Sequence, residues 1–124
     1  MGKPSEMNEA LVRALPDHGP VVMVNLVKFR DRAEYQRYSE ITMPLIKARG
    51  GTVLWAGNAE GAAFGDVERN KWDYVVLVRY PSRAAFLDMM TSAEYEKANA
   101  HREAALEEHV ILASTETYSK FKPG

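Results

Sequence analysis

An α+β fold, with one four-stranded antiparallel sheet carrying its helices on a single face, is what this sequence of 124 residues predicts. Three observations carry that reading. Two runs, 21–29 and 72–80, are almost continuously apolar and β-branched, the pattern of central strands covered on both faces. Each is followed by a stretch of helical periodicity and then by another strand-like run. Between the second and third strands lies only a turn-rich connection with Gly61, Gly65 and Asp66.

Taken in order, residues 5–15 read as a short helix with Ser5 as N-cap and Leu11 and Leu15 four apart. Pro16 ends it, and the loop 17–20 leaves His18 exposed. The first strand, 21–29, is interrupted only by Asn25, whose amide must find partners in the sheet, in water or on a ligand. Asp31 caps a helix running from 32 towards 49, with Tyr35, Tyr38, Ile41 or Thr42, Leu45 and Ala48 on its inner face. Pro44 predicts a kink or restart near Met43, and Gly50-Gly51 a stop. Residues 52–59 form a second strand that carries Trp55 and is weakened by Gly57, as an edge or bent strand would be.

The connection 60–71 is long for a hairpin, and long loops near pockets often act as covers. After the third strand Pro81 stops the sheet and Ser82 caps a helix over 83–90. A break at Thr91-Ser92 precedes a second helical piece, capped by Ser92 and reaching about 108. Tyr95, Ala98, Arg102 and Ala105 share one stripe of that piece. Residues 109–118 are the fourth strand, and 119–124 a tail expected to fray.

The order strand, helix, strand, strand, broken helix, strand is the ferredoxin-like βαββαβ arrangement, with the first and third strands as the central pair. The domain is expected over 20–118, preceded by the helix and loop of 1–19. With helices on one face only, the second apolar face of the central strands needs a cover, which predicts a homodimer packed sheet against sheet.

Composition removes several classes of function. The net charge is −1 with acids and bases interspersed, so no basic surface for nucleic acid is expected. There are no cysteines, hence no disulfide, thiolate catalysis or cysteine-based metal site. No apolar run is long enough to span a bilayer, and the first residues lack a secretory apolar segment. A cytoplasmic protein without membrane partners is expected.

The stretch WDYVVLVRYPSRAAFLDMM, with EY and HREAAL beyond it, resembles the family known as DUF1330 within the dimeric α/β barrel superfamily. MVNLVKFR, the Tyr38 region leading to PLIKARGG, and VLWAGNA agree with it, so the resemblance covers about residues 19–115. It implies the dimeric ferredoxin-like fold. The wider superfamily includes cofactor-free monooxygenases, isomerases and haem-binding decarboxylases, many with a pocket between sheet and helices. None of their catalytic motifs maps residue by residue onto this chain, and fold does not fix function.

A pocket of that kind would gather Asn25, Tyr38, Trp55, Tyr95 and Arg102 as ligand-binding residues, with His101 as the general base. Arg102 could fork onto a carboxylate, or pair internally with Glu40, Asp66 or Glu94. His101 stands one position off the stripe and could equally face solvent; Tyr38 could be a packed core aromatic. His101 and His109 are eight apart with no HxxxH or HxH spacing, so no metal site is expected, and no cofactor. Two functions fit: a cofactor-free enzyme, monooxygenase- or isomerase-like, acting on a small hydrophobic or aromatic molecule, or a non-catalytic homodimer that binds a small ligand or regulates.

Overall fold

The computed structural model describes residues 6–121. The chain runs α1 (Glu9–Ala14), β1 (Val21–Phe29), α2 (Arg32–Ala48), β2 (Thr52–Asn58), a 3-10 turn (Glu68–Asn70), β3 (Tyr74–Tyr80), α3 (Arg83–Met90), α4 (Ala93–Ala105) and β4 (Leu106–Ser114). The strands form one sheet in the order β2-β3-β1-β4, with every neighbouring pair antiparallel. The central pair is therefore β1 and β3, the two strands most apolar on both faces.

Local chemistry explains most of the boundaries. Asp31 accepts from the backbone N–H of Ala33 and Glu34 at the start of α2. Ser82 and Ser92 accept from Ala85 and Tyr95 and start α3 and α4 in the same way. α2 runs unbroken through Pro44, so the expected restart near Met43 does not occur. Gly50, at φ +75°, turns the chain out of α2 in a conformation that favours glycine. The expected Ser5 cap lies outside the described residues; α1 begins at Glu9, and Asn8 in the cap position makes no side-chain hydrogen bond.

The largest departure from expectation lies at the last helix–strand junction. The helix was expected to reach about 108, yet it ends at Ala105 and β4 begins at Leu106. The Ala105 carbonyl accepts from the backbone N–H of Arg30 and Asp31, and Leu106 pairs with Phe29. Pairing with the end of β1 thus overrides the helical preference of Leu106, Glu107 and Glu108, and the register slips between Lys28 and Phe29.

One face of the sheet carries the core. Met23 of β1 and Val76, Val78 and Tyr80 of β3 are buried beneath Tyr38 and Ile46 of α2, Phe86, Leu87 and Met89 of α3, and Tyr95 and Ala98 of α4, while Val27 of β1 is buried with Ala105 and Leu106. α1 adds the buried Val12, and the Arg83 guanidinium donates to the Arg13 carbonyl at the end of that helix. The alternate residues face the other way. Trp55, Leu77, Val24 and Leu112 stand opposite one another in a row across all four strands, and Gly57, Val75, Leu26 and Val110 form the next row. This second face is apolar and uncovered, with Trp55 48% and Leu112 54% exposed.

Candidate functional site

Among the described residues, two spaces between the sheet and the helices differ in kind. Under α2 a cavity of only about 70 Å³ remains among Met23, Asn25, Tyr38, Thr42, Val76 and Met89. Beside it, between β4 and the helices α1, α3 and α4, opens a cleft of about 650 Å³. Met23, Phe86, Met90 and Ile111 form apolar walls, Met7, Leu11 and Val12 a cover from the α1 side, and Tyr95, Asn99, Arg102 and His109 the polar end. Glu6, Glu96 and Glu103 also line it. Its size and mixed lining suit a small organic molecule.

The polar end is one hydrogen-bonded chain. The Asn25 amide nitrogen donates to the Met23 and Val76 carbonyls at 3.2 and 3.3 Å. Its oxygen lies 2.9 Å from His109 Nε2. His109 Nδ1 in turn lies 3.1 Å from Arg102 Nη1, and Arg102 Nε donates to Asn99 Oδ1 at 2.7 Å, one turn earlier on α4. His109 is 7% exposed. Burial, with the Arg102 charge adding to it, pushes its pKa down to about 3, so the imidazole is neutral near pH 7.

Tyr38 and Tyr95 join the two spaces. Their hydroxyls are 2.8 Å apart, one ring lining the small cavity and the other the cleft. Burial raises both phenols, Tyr38 well above its ordinary value, so neither is a base at neutral pH. Their chemical capacity is to donate or relay a hydrogen bond.

The structure brings together Asn25, Tyr38, Tyr95 and Arg102 of the residues read from sequence. It places two others elsewhere. Trp55 lies on the opposite sheet face, cross-strand from Leu77, its ring so close over Gly57 that a Cβ there would collide with it. His101 lines neither space; its Nδ1 lies 2.8 Å from Glu34 Oε2 on α2, in a pair that also includes Arg37. The hydrogen bond from His101 is the chief reason the half-buried Glu34 carboxyl is held below its ordinary range. The expected base is therefore outside the cleft, and His109, weighed in the sequence only as a metal ligand, is inside it. A strand beginning at Leu106 was the missing signal, because it puts His109 opposite Val27 on the helix-facing side. Among the described residues, no group of three or more His, Asp or Glu side chains is placed to hold a metal ion.

The element order, the strand order and the single helical layer over an apolar open face define a ferredoxin-like α+β fold. Within that class the chain belongs to the DUF1330 family, a domain of unknown function whose model matches residues 20–115. It is similar to the protein RPA0582 from Rhodopseudomonas palustris, itself of unknown function, with 30% identity and a TM-score of 0.84 over 96% of this chain and 100% of that one. A hydroxynitrile lyase from Passiflora edulis is 16% identical with a TM-score of 0.60, covering 82% of this chain and 98% of that one. A dimeric protein of unknown function from Bacteroides fragilis is 14% identical with a TM-score of 0.53, covering 80% and 98%. These last two likenesses show the fold alone. No curated protein matches the chain. Among the described residues no helix is long and apolar enough to cross a membrane.

Proposed function

We propose that this protein is a homodimer in which each subunit binds a small, largely apolar organic molecule in the cleft between α4 and β4. The ligand turns a hydrogen-bond acceptor, such as a carbonyl or carboxylate oxygen, towards Arg102. The observation that carries this reading is the cleft of about 650 Å³, with apolar walls converging on a donor-only guanidinium that Asn99 and His109 help to hold. The dimer reading rests on the apolar rows of the open sheet face, which burial against a second copy would remove from water.

Saturation-transfer NMR with benzoate, benzamide and cyclohexylamine tests the ligand reading. Signals from the two acceptor-bearing probes are expected with the wild type and lost in Ala113→Trp, which fills the cleft from an exposed position on β4. Equal binding of the amine, or signals untouched by Ala113→Trp, would refute it. For the assembly, light scattering at micromolar concentration should give a dimer that Trp55→Lys with Leu112→Lys converts to monomer. A wild-type monomer sinks the dimer.

A second reading is catalytic and uses the same cleft: cofactor-free proton transfer or O2-dependent oxidation of the bound molecule. What favours it is a neutral imidazole beside Arg102 and Tyr95. A ligand that draws Arg102 away would bare the Nδ1 lone pair as a proton acceptor. A solved structure of this fold, the hydroxynitrile lyase, is an instance of the fold hosting an enzyme.

A further inference from the structure

We propose that Asn25 and His109 are positioning residues: together they fix which edge of the imidazole carries the proton, and so aim the Arg102 guanidinium into the cleft. This rests on the small-ligand reading and names what sets its polarity.

The placement of each hydrogen follows from the main chain. Asn25 Nδ2 faces two carbonyl oxygens, of Met23 and Val76, which only accept, so that end of the amide must be the nitrogen. Its oxygen then faces His109 Nε2 at 2.9 Å, and because that oxygen only accepts, Nε2 must carry a hydrogen. A neutral imidazole has one such hydrogen, which leaves Nδ1 as a bare lone pair. Arg102 has donors only, and its Nη1 stands 3.1 Å from that lone pair. Asn99 Oδ1 holds the neighbouring Nε at 2.7 Å, so two edges of the planar guanidinium are tied. The strand carbonyls of β1 and β3 thereby set the orientation of a side chain on α4.

An acid at position 25 would do the opposite. A carboxylate would face the two carbonyls with repulsion and would stabilise the imidazolium, whose Nδ1–H then meets Arg102 donor to donor. An amide, and not an acid, is what allows a buried histidine to hold an arginine. The charged groups around this chain are Arg102 on α4 and the Glu6, Glu96 and Glu103 carboxylates lining the same cleft. The ligand class of the small-molecule reading follows from Arg102, which only donates: an acceptor-bearing head is what it would recognise.

Long-range 15N NMR of the imidazoles decides the tautomer without any ligand. At pH 7 His109 should be protonated at Nε2 and bare at Nδ1; an Nδ1–H form overturns the proposal. The Arg102 Nη1 hydrogens should exchange with water at least about tenfold faster in His109→Phe, which removes their acceptor, than in the wild type. His109→Gln, whose amide can repeat the donor and acceptor order, should restore protection; equal exchange in all three proteins overturns the proposal. Asn25→Asp should protonate both ring nitrogens and weaken benzamide binding at least about tenfold. Benzamide bound as tightly by that variant as by the wild type also counts against it. If the tautomer and exchange results hold while no probe binds, the aiming of Arg102 stands and the small-molecule reading is the one that fails.

Discussion

Under α2 and beside α4 the same sheet face is covered in two different ways. Beneath the 17-residue α2 the surface is filled by large aromatics: Phe29, Tyr35, Tyr38 and Tyr74 pack edge to face or tilted, with centroids 5.0 to 6.0 Å apart. Beside α4 the helical layer is interrupted at Thr91-Ser92, and the strand facing the cleft carries the small, exposed Ala113. A small side chain and a broken helical layer leave room that long aromatics would have closed. The difference separates a closed region from an open one: the α2 side is a packed core, and the α4 side trades packing for a lined space with a polar end.

The sharpest way to test that division is to cut the same kind of side chain on each side. Met89 is 1% exposed and packed into the core on the α2 side, where it borders the small cavity. Met89→Ala should cost about 3 kcal/mol in urea denaturation, as a large-to-small change in a closed core does. Leu11 lines the cleft and is 59% exposed, so Leu11→Ala should cost less than about 1 kcal/mol. Equal costs would mean that the cleft is as tightly packed as the core, and the comparison would fail.

A somewhat smaller effect comes from acid. The unfolded chain carries an ordinary histidine at position 109, with a pKa near 6.5, whereas the folded one is pushed down to about 3. Between those values the unfolded state binds a proton that the native state does not. Stability is therefore fully present above about pH 6.5 and lost as pH falls towards 3, at roughly 1.4 kcal/mol per pH unit. By pH 5 the loss should be about 2 kcal/mol, and His109→Gln should flatten that part of the curve. Denaturation midpoints at pH 7 and pH 5 for both proteins check it; parallel curves would mean that His109 is not held neutral.

How far the site could be read from the chain depends on which physical scale each residue answers to. Asp31, Ser82 and Ser92 act within a few residues of themselves, and the helices begin where those caps predict. Asn25, Tyr38, Tyr95 and Arg102 stood out because a polar group in an apolar strand or helix stripe has few places to go. Trp55 could not be placed the same way, because its face depends on the register slip between Val53 and Trp55 in the pairing of β2 with β3. His109 was hidden for the same reason at the other edge. Where β4 begins is decided by pairing with Phe29 across 77 positions of sequence (106 minus 29), and no local preference in Leu106, Glu107 and Glu108 announces it.

The smallest expected effect is the one that decides which side of the helical layer is functional. His101 and His109 are close in sequence and opposite in setting: one is half-exposed against Glu34 of α2, the other buried against Asn25 and Arg102. His101→Ala removes a solvent-screened partner from Glu34, which keeps Arg37, so its denaturation midpoint should match the wild type within measurement scatter. Benzamide affinity should likewise change by less than about twofold, against the tenfold expected from breaking the chain at Asn25. Affinity that falls with His101→Ala and survives changes at His109 would move the functional centre to the α2 surface. The cleft beside α4 would then be a packing defect of the broken helix.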